Sequence, residues 1–213
     1  MYRSDVLGQI SWLEHGFGTR SSAGWPDTTK LATVRQIHSN RVVVADRPGD
    51  LGEGDALVTN LPGLTLSIRT ADCLPILMAD TRNRAVAAVH AGWRGTAQQI
   101  VIETLEAMAR EFGTISANVV IAIGPGIGPC CYEVGPDVAS QFSELFPEIP
   151  GFGAAHAKLD LPEANLRQLR RYGGIAGQMV ASGLCTRCLP EQFHSFRRDK
   201  EAAGRMISAV AIR

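Results

Sequence analysis

Short apolar runs separated by turn residues dominate the first two-thirds of the chain. Runs of four to eight residues rich in Val, Ile and Leu are typical of β-strands. The glycine, proline, aspartate and asparagine residues between them favour turns. With the last apolar runs included, the pattern predicts strands at Leu31–Ile37, Arg41–Ala45, Ala56–Thr59, Leu64–Arg69, Leu74–Ala79, Ala85–Ala91, Val119–Ile123, Phe193–Phe196 and Met206–Ile212.

Helical periodicity is clearest over Thr96–Phe112, where apolar residues recur on one face and Gly113 follows at the expected end. Two further helices are predicted at Pro136–Leu145 and from Pro162 to about Ser182. Many strands precede few helices, without regular alternation, which favours an α+β layered fold. No linker or repeat marks a boundary, so we expect a single domain over residues 1–213.

Composition and charge exclude several classes of protein. The chain is 45% hydrophobic and 20% charged, as globular proteins are, and its 21 basic residues balance its 21 acidic residues. We therefore expect no nucleic-acid or membrane partner. The N-terminal residues lack the apolar centre of a signal peptide, so we expect a cytoplasmic protein whose five cysteines are reduced.

The first candidate for chemistry is a pair formed by Cys73 and His90. One predicted strand begins directly after Cys73, and the next contains His90. The segment Asp80-Thr81-Arg82-Asn83 lies between the two strands. If this segment is a tight turn centred on Thr81-Arg82, Cys73 and His90 lie directly opposite each other. Directly opposed residues in an antiparallel pair have Cβ atoms about 4.5–5.5 Å apart. The thiol and the imidazole would then meet at the open end of the hairpin.

The Cys73–His90 pair has three interpretations. It is a buried thiol beside a hydrogen-bonded histidine, a nucleophile whose thiol pKa the imidazole lowers, or part of a metal site. Two histidines and one cysteine suit zinc with its fourth position left to water or substrate. His38 is the candidate third ligand because it also lies at the end of a predicted strand.

Two cysteine-rich segments give a weaker signal. Cys185 and Cys188 have the spacing of a metal knuckle, but the remaining cysteines, Cys130 and Cys131, are adjacent. A structural zinc ribbon uses two spaced pairs, so the spacing argues against zinc at these four residues. The segment 124–129 follows a predicted strand, yet its two prolines remove amide donors that would bind phosphate, which favours a rigid wall.

The ordered motifs of the chain resemble those of the YfiH-like, laccase-domain family over nearly the whole length. The matching segments are His15-Gly16-Phe17, Thr19-Arg20, Gln36-Ile37-His38, Gly54-Asp55-Ala56, Thr70-Ala71-Asp72-Cys73-Leu74-Pro75, Val89-His90-Ala91-Gly92-Trp93-Arg94-Gly95, Ile123-Gly124-Pro125, Cys131-Tyr132-Glu133-Val134-Gly135, Cys185-Thr186 and Phe196-Arg197-Arg198-Asp199. The resemblance implies a single-domain, four-layer α/β/β/α sandwich related to cysteine hydrolases. It also implies a zinc ion held by His38, Cys73 and His90.

Members of this family have been assigned different activities, and the resemblance therefore implies several. They are multicopper polyphenol oxidation, purine nucleoside phosphorolysis with adenosine deamination, and a role in peptidoglycan editing. A laccase needs a trinuclear cluster of imidazole ligands besides its blue copper, and five histidines are too few to build both. Copper uptake in vitro remains compatible with a His₂Cys site, because copper outranks zinc in divalent affinity.

Together with these candidate ligands, the resemblance implies a zinc enzyme that cleaves purine nucleosides with phosphate and deaminates adenosine, with His38, Cys73 and His90 as catalytic ligands. Guanidinium groups bind phosphate bidentately, and the candidates are Arg20, Arg94 and Arg197. Asp72 or Glu133 is expected to orient a ligand histidine or to hold a ribose hydroxyl.

The alternatives are a cysteine hydrolase of peptidoglycan-precursor editing, with Cys73 as nucleophile and His90 as base, and a binding protein with a structural metal. The expected partners are a nucleoside and phosphate, and the sequence gives no oligomeric state.

Overall fold

In the computed structural model, which describes residues 1–22, 24–173 and 178–213, strands dominate the chain. The strands are β1 (Leu13–Gly16), β2 (Leu31–Arg35), β3 (Val42–Val44), β4 (Gly49–Glu53), β5 (Ala56–Thr59), β6 (Thr65–Thr70), β7 (Leu74–Asp80), β8 (Ala85–Ala91), β9 (Val119–Ile123), β10 (Glu133–Val134), β11 (Ala157–Lys158), β12 (Met179–Ala181) and β13 (Met206–Ile212). One sheet has the order β1-β13-β6-β2-β4, a second has the order β12-β9-β7-β8-β5-β3, and β10 pairs with β11.

Most of the helices are short. They are α1 (Asp5–Gly8), α2 (Trp93–Ala97), α3 (Ile100–Phe112), α4 (Pro136–Ala139), α5 (Leu161–Arg171) and α6 (Phe196–Asp199). Every helix among the described residues is too short or too polar to cross a bilayer. The mixed α+β class with several sheets is confirmed.

Strands β7 and β8 separate two hydrophobic cores. On β8, Ala87 and Val89 contact the core shared with α3 and α5, while Val86 and Ala88 contact the core between the two large sheets. Successive side chains of a strand point to opposite faces. Both faces of this strand are covered, so it is a continuous apolar run rather than an alternating one.

Several predicted boundaries are confirmed, including those of β5, β8, β9 and β13. Four predicted elements differ from the structure. The predicted helix Thr96–Phe112 is two helices, because Gln99 takes a left-handed conformation at φ 59° between them. The predicted strand Phe193–Phe196 is absent because the Ser195 side chain accepts a hydrogen bond from the Arg198 amide and begins α6.

The predicted helix from Pro162 to Ser182 is also too long. Helix α5 begins where the Asp160 side chain caps the Glu163 amide, and it ends at Arg171. Further along, Met179–Ala181 pairs in parallel with Ile121–Ile123 as β12. The part of this prediction over residues 174–177 lies outside the described residues. The predicted helix Pro136–Leu145 is one α-helical turn, α4, followed by a 3₁₀ helix.

One connection between the two large sheets matters for the site. Strands β2 and β3 are consecutive in the chain, but β2 belongs to the five-stranded sheet and β3 to the six-stranded sheet. The segment 36–41 therefore crosses from one sheet to the other, and His38 lies on this crossing. His90, two residues after Ala88 on β8, points toward the same space between the sheets.

Candidate active site

The structure brings His38, Cys73 and His90 together. The ligand atoms of these three side chains all lie within 4.8 Å of one another. His38 is exposed, Cys73 is half-buried and His90 is 4% exposed. The two imidazole rings meet edge to face, with ring centroids 4.9 Å apart.

The hairpin register differs from the prediction. Leu74 pairs with Ala91 and Pro75 with His90, so Cys73 precedes the first pair instead of facing His90. The reason is the turn, which has four residues between Asp80 and Ala85. The Asp80 side chain accepts hydrogen bonds from two amides of this turn. A shift of two positions keeps each side chain on the same face of the sheet, so the thiol and the imidazole still meet.

Asp55 organises the group, although no sequence pattern indicated a role for it. Its carboxylate is fully buried and accepts backbone hydrogen bonds from Ile37, His38 and Ser39 at 3.2, 3.0 and 2.7 Å. His38 has a left-handed backbone at φ 60°, which is uncommon for a residue with a side chain. These three amide donors hold the crossing segment in that conformation. A charged residue directly before the fully buried strand β5 was the signal that could have identified it.

Asp55 also contacts the second histidine. The Nδ1 atom of His90 lies 2.8 Å from Oδ1 of Asp55. In the neutral imidazole, Nδ1 donates to this carboxylate and Nε2 keeps a lone pair that faces the other ligands. Burial acts to raise the pKa of Asp55, but hydrogen bonds from His90 and Ser39 outweigh it and lower that pKa to about 2. The carboxylate is therefore ionised at neutral pH.

The Cys73 thiol lies beside two hydrogen-bond donors. Burial acts to raise the pKa of this thiol, but hydrogen bonds from His38 and His90 outweigh it and lower the pKa to about 6. Burial acts to lower the pKa of His90, while its hydrogen bonds to Asp55 and Cys73 raise it to about 9. The arrangement favours a thiolate, which is the form that binds a metal or attacks an electrophile.

Gly92 allows the three ligands to approach each other. A Cβ atom at this position would lie 3.0 Å from the Cys73 sulfur and 3.3 Å from a ring carbon of His38. Gly92 precedes α2, so any side chain here would be directed into the ligand group. Two imidazoles and one thiolate that converge on such a space fit a zinc ion with one open coordination position.

The ligand group lies at a cavity of about 960 Å³. Its lining includes aromatic side chains and several cations; the cations are Arg35, Arg69, Arg197, Lys200 and Arg205. Arg197 lies 5.2 Å from the ring centroid of Tyr132, which also lines the cavity. A large opening with basic residues near a metal-ligand group can receive an anion next to a second substrate.

The structure places the predicted phosphate-binding arginines differently. Arg197 lines the cavity, but Arg20 and Arg94 are not among its lining residues. Arg20 contacts Asp199 at 4.0 Å and the Phe193 carbonyl at 3.4 Å. Arg94 stacks over its neighbour Trp93 at 4.4 Å from the ring centroid. Of the three candidate arginines, Arg197 is the one that lines the cavity.

The carboxylate that hydrogen-bonds the ligand histidine His90 belongs to Asp55 and not to Asp72 or Glu133. The Asp72 carboxylate instead accepts hydrogen bonds from the Thr186 hydroxyl and the Arg197 amide, both at 2.6 Å. The exposed Glu133 meets Arg197 through its backbone carbonyl, at 3.1 Å from the guanidinium. Asp72 thus connects the loop that carries Cys73 to two later segments of the chain.

The four remaining cysteines also come together, against the argument from their spacing. The sulfur atoms of Cys130, Cys131, Cys185 and Cys188 all lie within 4.8 Å of one another. Spacing along the chain was a poor guide because a tight turn at Gly128 brings the adjacent Cys130 and Cys131 to the same place.

Two curated proteins are similar to this chain in sequence. The chain is 40% identical over 163 residues to the purine nucleoside phosphorylase of Bacteroides thetaiotaomicron, covering 74% of this chain and 60% of that protein. It is 36% identical over 201 residues to adenosine deaminase RL5 of an unidentified prokaryote, covering 86% of this chain and 76% of that protein. The chain thus spans less than two-thirds of the length of the Bacteroides relative.

A solved structure and a family model identify the family. The crystal structure of the hypothetical protein YfiH of Bacillus licheniformis matches with a TM-score of 0.81 and 30% identity, covering 89% of this chain and 76% of that one. The family model described as multi-copper polyphenol oxidoreductase laccase matches residues 19–213. The chain therefore belongs to this YfiH-like, laccase-domain family.

Proposed function

We propose that the protein is a zinc-dependent enzyme that cleaves purine nucleosides with phosphate, giving a free base and ribose 1-phosphate. The proposal includes deamination of adenosine at the same site. It extends the printed names of the relatives, purine nucleoside phosphorylase and adenosine deaminase, to this chain. The observation that carries it is the His38, Cys73 and His90 group at a cavity with basic residues.

The two histidine ligands differ in burial, and we assign them different roles. His90 is buried and fixed by Asp55, whereas His38 is exposed at the cavity. A zinc ion bound here would supply Lewis acidity and lower the pKa of a bound water toward 7. The rigid, buried side of the group then faces Asp55, and the open side faces the substrate.

Phosphate is the second substrate of the proposed reaction. Arg197 is our choice for its binding, because its guanidinium lines the cavity next to Tyr132 and its own amide is fixed by Asp72. A guanidinium so placed binds phosphate through two parallel hydrogen bonds. The other cavity cations are available to hold its remaining charge.

The large cavity accommodates a nucleoside next to this anion. Its volume of about 960 Å³ lies within the range of about 300–1,000 Å³ that is usual for small-molecule sites. Trp93, Phe196 and Tyr132 supply apolar surface for a purine. In the proposed arrangement the ribose lies between the base and the phosphate, within reach of Asp72, which lines the same cavity.

A cysteine hydrolase acting in peptidoglycan-precursor editing is the second candidate function. The observation in its favour is the lowered pKa of the Cys73 thiol next to His90. In that case the Cys73 thiolate attacks the amide carbonyl, His90 gives its proton to the nitrogen as the C–N bond breaks, and water hydrolyses the resulting thioester. The four-layer, cysteine-hydrolase-like architecture implied by the sequence resemblance belongs to the same hypothesis.

Copper-dependent phenol oxidation is the least favoured of the alternatives. The description of the matching family names it, but the chain has five histidines in total and the group at the cavity uses two. A trinuclear copper cluster with imidazole ligands would need more. Copper bound in vitro would occupy the same His₂Cys ligands.

The test is incubation of the purified protein with inosine or adenosine and phosphate. We expect hypoxanthine or adenine together with ribose 1-phosphate, and none above background for a Cys73→Ala variant. Chelation of the metal should abolish the reaction, and zinc should restore it. Absence of phosphate-dependent cleavage would reject the proposal, and amide hydrolysis that survives chelation would favour the hydrolase.

A further inference from the structure

The four cysteines outside the proposed catalytic group form a cluster of their own, hereafter the four-cysteine cluster. The sulfur of Cys188 lies 3.6 Å from that of Cys130 and 3.3 Å from that of Cys131. All four sulfur atoms, including that of Cys185, lie within 4.8 Å of one another. We infer that this cluster binds a zinc ion as a tetrathiolate, separate from the His38, Cys73 and His90 group.

The distances between the sulfur atoms match this chemistry. Zinc–sulfur bonds of about 2.3 Å in a tetrahedron place the sulfur atoms about 3.8 Å apart. A disulfide would require about 2.05 Å between two of them, and all five cysteines of the chain are free thiols. The two sulfur separations at Cys188 lie near the tetrahedral value and far from the disulfide value.

The backbone explains how adjacent cysteines can act together. In an extended strand, neighbouring side chains point to opposite faces. Here the amides of Cys131 and Tyr132 both donate to the carbonyl of Gly128, at 3.0 and 3.1 Å, which closes a tight turn. This turn directs both thiols toward the second segment, where the Leu189 amide bonds the Cys185 carbonyl at 3.2 Å.

The two segments are joined before any metal is considered. The amide of Gly126 donates to the Leu184 carbonyl at 3.2 Å, and the amide of Thr186 donates back to the Gly126 carbonyl at 2.9 Å. The ligands are therefore held near each other by the fold, which reduces the entropy that a metal must overcome to bind. The backbone of the two loops therefore positions the four cysteines.

Hydrogen bonds to sulfur also favour the thiolate form of one ligand, Cys185. The Gly128 amide donates to the Cys185 sulfur at 3.3 Å, and the backbone of Cys188 also hydrogen-bonds this sulfur. Such bonds stabilise a charged ligand. Four thiolates leave a net negative charge on a divalent ion. Next to them, Arg198, which also forms an ion pair with Asp199, donates to the carbonyls of Thr186 and Arg187 at 3.1 and 3.3 Å.

A metal with four protein ligands has no open position, so its role would be structural. The loops that it would join form part of the cavity. Ile127 and Tyr132 line the cavity, and the Ile127 amide donates to the Asp72 carbonyl at 2.8 Å. Thr186, one residue after Cys185, holds the Asp72 carboxylate. The zinc would thus hold one wall of the cavity against the loop that carries Cys73.

Zinc content of purified variants tests the inference without reference to enzyme activity. The key variant is Cys188→Ser, since Cys188 is exposed and its replacement removes one ligand without opening the core. Arg187→Ser on the same exposed turn is the matched control. Proteins prepared under reducing conditions without added metal should show one zinc per chain fewer in Cys188→Ser than in Arg187→Ser. Equal zinc in the two variants would overturn the inference.

Cobalt spectroscopy gives a second readout that does not require Cys188→Ser to fold. A Cys73→Ala variant keeps the four-cysteine cluster and removes the only thiolate of the proposed catalytic group. Loaded with Co²⁺, it should show strong sulfur-to-cobalt charge-transfer bands and the intense visible bands of tetrahedral cobalt. Weak octahedral bands would contradict the inference. A loss of two hydrogens per chain in the mass of the native protein, with no bound zinc, would show a disulfide instead.

Zinc content can reject the inference about the four-cysteine cluster and the proposal of a catalytic zinc separately. If Cys73→Ala loses zinc and Cys188→Ser does not, only the catalytic group binds metal and the inference about the four-cysteine cluster is wrong. If Cys188→Ser loses zinc while Cys73→Ala keeps the full content, the proposed catalytic zinc fails and the cluster stands.

Discussion

The His90 imidazole donates through Nδ1 to the Asp55 carboxylate at 2.8 Å, and both side chains are buried. The same carboxylate accepts a hydrogen bond from the backbone amide of His38 at 3.0 Å. One buried charge therefore fixes the tautomer of one proposed ligand and the backbone of another. Loss of this charge should affect both ligands together, although it touches neither the metal nor the substrate.

Replacing Asp55 by Asn should weaken zinc binding about 10- to 100-fold, as loss of such a partner typically does. An amide group can offer one oxygen, whereas the carboxylate accepts from His90 through one oxygen and from Ile37 and Ser39 through the other. Buried donors left without a partner should also cost about 1–3 kcal/mol in the free energy of unfolding. Zinc competition titrations and urea unfolding measure the two effects.

Asp46→Asn is the control for this change, because Asp46 is an exposed carboxylate that pairs with Arg47 at the surface. It should leave zinc affinity unchanged and alter stability by less than about 1 kcal/mol. Equal zinc affinities for Asp55→Asn and Asp46→Asn would show that Asp55 does not organise the ligands.

Replacing Gly92 by Ala should separate the ligands while the fold remains. The new Cβ would lie 3.0 Å from the Cys73 sulfur, so one of the two groups must shift. We expect zinc affinity to fall about tenfold or more with an unchanged circular dichroism spectrum. Gly8→Ala, where a Cβ would meet nothing within 4 Å, should retain normal affinity. A Gly92→Ala protein that binds zinc normally would contradict the geometry.

Replacing Arg197 by Ala should raise the KM for phosphate more than it lowers kcat. A hydrogen bond to a charged group contributes about 1.5–3 kcal/mol, which corresponds to roughly 10- to 150-fold in KM. Arg20→Ala should have little effect, because Arg20 contacts Asp199 and does not line the cavity. Steady-state kinetics with varied phosphate would refute the assignment if both variants behaved alike.

His15 should make stability depend on pH independently of the proposed metal ligands. Burial and the nearby charge of Arg3 lower the pKa of this imidazole to about 4, and its Nε2 accepts the Ser4 amide at 3.0 Å. The unfolded chain, with a His pKa of about 6.5, binds the proton more readily. The contribution of His15 is therefore present above pH 6.5 and lost as the pH falls toward about 4.

Urea unfolding at pH 7 and pH 4.5 measures this contribution. We expect the native protein to lose on the order of 1–3 kcal/mol more than a His15→Gln variant over that range. His156→Gln, at an exposed histidine, should lose as much as the native protein. The same acid sensitivity in His15→Gln and His156→Gln would exclude His15 as the source.

Sequence patterns predicted the central strands because these are continuous apolar runs that both cores bury. They also predicted that Cys73 and His90 lie close together, despite an error of two residues in the register. The error was harmless for a physical reason. A shift of two positions preserves the face of the sheet, whereas a shift of one would have separated the side chains.

The rest of the site depends on contacts between distant parts of the chain, which no local pattern encodes. Asp55 receives its donors from a crossing segment between two sheets. The pairs Cys130-Cys131 and Cys185/Cys188 meet because backbone hydrogen bonds join residues about sixty positions apart. Arg20 and Arg94 were chosen for their nearness to motifs along the chain, and neither is among the residues that line the cavity.

Zinc content and phosphorolysis measured on the same preparations of native protein and His38→Ala test the central claim most directly. His38 is exposed, so its replacement should leave the fold intact. We expect the variant to hold one zinc per chain fewer than the native protein and to release no hypoxanthine from inosine and phosphate. An unchanged zinc content together with undiminished release of hypoxanthine would contradict the assignment of His38, Cys73 and His90 as the catalytic metal ligands.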